Sequence, residues 1–136
     1  LGVMQKLFQV HEKKVAIPPD LKELLRNFVA RKNGCEFCAD ISQFRGMNQQ
    51  IRKARLSELM NFRDSGNFDE REKAALAYAE EMVAKNGDTS ETFPELQKHF
   101  TEKQVIDITW ICATEYYMNL MNRAFDIGSD EFCEVR

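Results

Sequence analysis

Leu21, Leu24, Leu25, Phe28 and Val29 recur at i, i+3, i+4, i+7 and i+8, the spacing that puts five apolar side chains on one face of an α-helix. A helix is expected over 20–32, because Ile17-Pro18-Pro19-Asp20 breaks the chain just before it and proline suits a helix's first turn. Upstream, Leu7, Val10 and Lys14 share helical spacing over 3–14. Downstream a helix is expected over 48–63, closed by the turn Asp64-Ser65-Gly66-Asn67. Asp69 with Glu72 has the pattern of a capping box, opening a helix that carries Leu76, Ala79, Met82 and Val83 and stops at Asn86-Gly87-Asp88. A short helix follows over 94–100, and Thr101 with Gln104 starts a last one over 102–126. No period-2 run or hairpin turn intervenes, so no strand is expected. The fold class is therefore all-α, a bundle of about six helices.

Two stripes of that last helix are apolar: Val105, Ile108, Cys112 and Met118 on one side, Ile106, Trp110, Ala113, Tyr117 and Leu120 on another. Such a helix is expected at the centre of the domain or at a subunit interface. Glu115 lies mid-helix among these apolar residues and needs a partner if buried, with Arg123 as the candidate.

The 136 residues suffice for one domain spanning 1–136, with 1–16 expected to be the end of a truncated helical segment because residue 1 is Leu. A net charge of -3 gives no electrostatic basis for nucleic-acid binding. The longest apolar candidate, over 106–121, is interrupted by Asp107, Glu115 and Asn119, and falls short of the roughly 18 residues that a membrane span needs. Neither nucleic acid nor membrane is an expected partner.

Chemistry concentrates at Cys35-Glu36-Phe37-Cys38. Asn33-Gly34 has the composition of a helix C-terminus, so the two thiols fall in the first turn of the next helix, running to about Phe44. Unpaired N–H groups there favour negative charge and lower a thiol from its ordinary pKa of about 8.5. Sulfurs three residues apart can also close a short disulfide. The other thiols, Cys112 and Cys133, and the two histidines, His11 and His99, are scattered without metal-ligand spacing, so no metal is expected. One reactive pair in an otherwise sparse set points to a reducing, cytoplasmic compartment. Asp40 complements the start of that helix and is placed to tune the thiols.

These segments resemble the carboxymuconolactone decarboxylase family, in its alkylhydroperoxidase D-like branch. The matching pieces run from Pro18 through Leu25, from Asn33 through Asp40, from Phe68 through Glu80, and from Asn119 through Arg123. The resemblance implies a peroxidase site of Cys35, Cys38 and a glutamate a dozen residues upstream, which falls on Glu23; taken alone, Glu23 beside Lys22 and Arg26 is an ordinary helix-surface pair. The family's histidine positions are occupied by Ser42 and Phe37. Hydroperoxide reduction needs a thiolate and a proton for the departing alkoxide, which imidazole supplies well near neutral pH. Ser42 can only relay a proton, so weak peroxidase turnover is expected, with Glu23 as partial substitute if burial raises its pKa. The resemblance further implies a cycle without bound cofactor: a hydroperoxide or disulfide substrate, an external dithiol reductant of which a lipoyl-bearing protein is one kind, and a homo-oligomer, trimeric or hexameric. The rival expectations are a lyase like the family's lactone decarboxylases, whose chemistry needs no cysteine pair, and a non-catalytic helical oligomer.

Overall fold

A computed structural model describes residues 2–48 and 50–128. Its elements are α1 (Gly2–Glu12), α2 (Pro19–Lys32), α3 (Glu36–Asn48), α4 (Lys53–Glu58), a 3-10 segment (Leu59–Asp64), α5 (Glu70–Ala84), α6 (Phe93–His99) and α7 (Glu102–Ala124). Among the described residues every regular element is helical, as the patterning predicts. Cys133 lies outside them.

α2 is the centre of the bundle, packed against α3, α5 and α7. Leu24, Leu25, Phe28 and Val29 are wholly buried and Leu21 nearly so, which fulfils the five-residue pattern. Phe28 meets Phe62 of the 3-10 segment edge to face, with ring centroids 5.6 Å apart. Both expected capping boxes form, Asp69 with Glu72 on α5 and Thr101 with Gln104 on α7. The α5–α6 loop is tied to Glu81, whose carboxylate accepts from the Thr92 hydroxyl and backbone N–H and from Lys85, interactions that hold its pKa down at about 2.

One expectation needs correction. The helix expected over 48–63 is split. α3 continues to Asn48, Gln50 turns the chain with a left-handed φ of 62°, and α4 restarts at Lys53 before the 3-10 segment kinks at Asn61. The turn closes by an Ile51 N–H bond to the Gly46 carbonyl, 3.0 Å. It is allowed by a missing side chain, since a Cβ on Gly46 would sit 3.2 Å from Ile51 Cδ1. Within the chain α7 buries only part of its two apolar stripes, so a central position alone does not account for both. Ile108, Ile111 and Cys112 are interior, while Ile106, Tyr117 and Leu120 remain 59%, 39% and 53% exposed.

α1 differs from the other helices in that none of its described side chains is buried. Glu12 ties it to Arg26 and, at 2.6 Å, to Lys22. The rings of Phe8 and His11 rest against Trp110, with centroids 6.3 and 4.3 Å away. Among the described residues no helix is long and apolar enough to cross a membrane.

Candidate functional site

Gly34 builds the site. In the left-handed conformation, φ 65°, it ends α2 while the Cys35 N–H bonds back to the Ala30 carbonyl at 2.9 Å. The chain is thereby turned so that Cys35 immediately precedes α3. Its Sγ lies 3.4 Å from the Cys38 N–H, where the side chain of an N-cap residue would sit. The first-turn donor expected to favour a thiolate is thus aimed at Cys35.

Cys35 and Cys38 are joined as a disulfide, with Cα atoms 5.4 Å apart. Both are buried, in a small cluster with Ala30, Phe37 and Ala39. An opening of about 260 Å³ reaches Cys35, with Arg31, Gly34 and Asp40 in its walls. On the far side of the bond, Asn122 of α7 donates its amide N–H to Cys38 Sγ at 3.1 Å.

Ser42 is buried, and its hydroxyl donates to the Ala39 carbonyl at 2.9 Å while accepting from the Asn27 amide at 3.1 Å. The same Asn27 amide donates to the Ala39 carbonyl at 2.9 Å, and Asn27 Oδ1 is buried without a hydrogen-bond partner among the described residues. Glu23 lies one turn before Asn27 and is also buried. Its Oε1 accepts from Arg26 Nη1 at 3.3 Å, and its Oε2 has no hydrogen-bond partner among the described residues. Burial, which outweighs the nearby Arg45 and Lys22, raises the Glu23 carboxyl from the usual 4.5 to about 7. The ordinary surface pair that Glu23 and Arg26 could have made is an interior one. Glu23 lines a separate, larger cleft that shares no lining residue with the opening at Cys35.

Cys112 is fully enclosed, and burial pushes its thiol up to about 12, so it stays protonated and inert. The expected Glu115–Arg123 pair does not form. Glu115 accepts from Asn119 at 2.8 Å, Asn119 in turn accepts from Asn33 at 3.0 Å, and Arg123 donates to the Asn33 carbonyl at 2.9 Å. Sequence reasoning missed Asn27, Asn119 and Asn122. The available signal was a polar row at helical spacing on α7, Glu115, Asn119 and Asn122, running through an apolar helix.

The family model for carboxymuconolactone decarboxylases matches residues 2–81, more than half of the chain. The chain belongs to the carboxymuconolactone decarboxylase family. An uncharacterised Escherichia coli K12 protein, YnjA, is 23% identical over 127 residues, which are 93% of this chain and 70% of that one. Among solved structures, a protein of unknown function from Agrobacterium tumefaciens, provisionally assigned to antioxidant defence as AhpD, superposes with a TM-score of 0.86. It is 18% identical and the match covers 94% of this chain and 88% of that one. The debrominase Bmp8 gives a TM-score of 0.80 at 24% identity, covering 92% of this carboxymuconolactone decarboxylase-family chain and 68% of its own. A cysteine-to-alanine form of Bmp8 holding 2,3,4-tribromopyrrole gives 0.76 at 23% identity, covering 89% and 65%. These structural likenesses place the fold.

The Asn122 contact makes one prediction. When a thiolate attacks Cys35, the S–S electron pair leaves on Cys38, and the amide N–H stabilises it. A hydrogen bond to a charged group contributes about 1.5 kcal/mol or more, so Asn122→Leu, which keeps the volume and removes the donor, should slow reduction by dithiothreitol about tenfold at neutral pH. Stopped-flow reduction of the two oxidised proteins measures this, and an unchanged rate would remove Asn122 from the chemistry.

Proposed function

We propose that this protein is a dithiol/disulfide oxidoreductase that reduces a hydroperoxide or disulfide with Cys35 and Cys38. The observation that carries the reading is the Cys35–Cys38 bond held at the start of α3, with an opening on Cys35 and a donor on Cys38. With a hydroperoxide, one thiolate attacks the peroxide oxygen, releasing an alkoxide that takes up a proton and leaving a sulfenic acid. The second thiol displaces water from that sulfur to close the disulfide. An external dithiol, such as a lipoyl group, then attacks one sulfur, releases the other as thiolate, and leaves as its own cyclic disulfide. Glu23, raised to about 7, is a proton source of suitable strength, although the cysteines lie further along the α2–α3 contact, past the Asn27–Ser42 hydrogen bond. Peroxide turnover is accordingly slower than an imidazole-equipped site would give. Membership of the family together with a retained cysteine pair favours this cycle over lactone decarboxylation. The likeness to a debrominase adds halogenated aromatics to the substrates worth trying.

The test is to reduce the protein, oxidise it with cumene hydroperoxide, map the disulfides by mass spectrometry, and titrate the couple against dihydrolipoamide. Rapid, reversible formation of the Cys35–Cys38 bond supports the reading. Thiols that stay reduced in excess peroxide and in oxidised lipoamide would overturn it.

The exposed Ile106 and Leu120 of α7 support assembly into a homo-oligomer, as trimer or hexamer. Sedimentation is expected to give a species larger than the monomer at micromolar concentration; a monomer there would contradict it.

A further inference from the structure

The cleft lined by Glu23 encloses about 1070 Å³ between α1, α2, α3 and α7. We propose that it is a binding site for an amphipathic organic anion, whose carboxylate is taken by Arg45 and Glu23 and whose apolar body lies against Phe8, Tyr117 and Met118.

The polar half of the site is incomplete in a particular way. Glu23 is 4% exposed, yet its Oε2 has no hydrogen-bond partner among the described residues, a costly arrangement for a buried oxygen unless something in the cleft completes it. Arg26, beside it, is already committed to Glu12 and Glu23. Arg45, exposed on α3 and lining the same cleft, makes no hydrogen bond or ion pair among the described residues. An exposed guanidinium and a buried carboxyl with one unpartnered oxygen therefore line the same cleft. Tyr117 and Met118, 39% and 38% exposed, supply an apolar wall that α1 faces with Phe8.

The charges select an anion over an amine. Glu23 faces Arg26 on its own helix, Arg45 from α3 and Glu115 from α7, with Lys22 adjacent and Glu12 of α1 spent on Arg26 and Lys22. Burial raises the pKa of Glu115 and takes that of Glu23 to about 7, so below neutral pH the cleft presents a largely neutral Glu23 beside guanidinium groups. A protonated Glu23 donates to a carboxylate oxygen, and Arg45 offers a planar fork to the same group. This site shares no lining residue with the opening at Cys35, and Glu23 is the one group it has in common with the proposed dithiol cycle.

The experiment titrates the protein at pH 6 with naphthoate, naphthalenemethanol and naphthalenemethylamine, following amide shifts by NMR and affinity by calorimetry. Naphthoate is expected to bind at least about tenfold more tightly than the alcohol, and the amine more weakly still. Arg45→Ala, an exposed position whose loss leaves the core untouched, should bring naphthoate down to the alcohol's affinity without changing the alcohol's. Raising the pH to 8.5 should weaken naphthoate as Glu23 ionises, and Glu23→Gln should reduce that dependence. The proposal is overturned by equal affinity for all three probes, by shifts that map to another face, by an Arg45→Ala protein that keeps its preference for naphthoate, or by no binding at millimolar concentration.

Discussion

Cys35→Ser and Cys38→Ser proteins are each expected to lose at least about 100-fold of their hydroperoxide turnover with a dithiol donor, while Cys112→Ala keeps wild-type turnover. The magnitude follows from geometry. With Cα atoms 5.4 Å apart, the second thiol meets the sulfenic acid without diffusing to it. Well-oriented intramolecular reactions correspond to effective concentrations of about 10⁵ M or higher, far above any soluble thiol. A lone Cys38 must wait for an external thiol and meanwhile oxidises further to sulfinic acid. Cys112 has no such part to play, because its enclosed thiol does not ionise near neutral pH. Coupled turnover assays on the three variants, with intact-mass analysis for added oxygens, check this. A Cys35→Ser protein that still cycles peroxide would exclude the two-cysteine scheme.

Glu23→Gln should stabilise the protein above pH 7.5 by up to about 3 kcal/mol and have little effect below pH 4.5. In the folded chain the Glu23 carboxyl holds its proton up to about 7, whereas in the unfolded chain it releases it near 4.5. Below 4.5 both states are protonated and the folded protein suffers no penalty. Between 4.5 and 7 the folded state binds more protons than the unfolded one, so stability falls as pH rises. Above 7 the loss is complete. Gln carries no charge to bury and retains a carbonyl for Arg26. Urea unfolding of both proteins at pH 4.5 and 8.5 measures the difference; equal stabilities at pH 8.5 would show that Glu23 ionises without penalty and is better solvated than its burial indicates.

The helices were legible because their determinants are local. The spacing on α2, the Asp69–Glu72 and Thr101–Gln104 pairs and the Asn33-Gly34 stop each lie within a few residues, and each has its expected consequence. The break after Asn48 was not legible. No proline or glycine marks Gln50, and the turn exists because Gly46 lets Ile51 come close, a tertiary fact. The cysteine pair was visible as a motif and Glu23 through family spacing. Asn122 approaches Cys38 from 84 residues away, a contact that no local pattern encodes. The burial that sets Glu23 apart from a surface carboxylate likewise comes from α1, α3 and α7 closing over α2, so the sequence named the residue without its environment.

Cys35 belongs to two helices at once: its N–H closes the last turn of α2, and its sulfur receives the first turn of α3. The first of these tethers runs through the backbone alone, so opening the S–S bond does not in itself remove the hydrogen bond that ends α2. Electrons are exchanged at two atoms seated on the junction of two helices, and a partner that must tell the charged form from the spent one has to reach that junction.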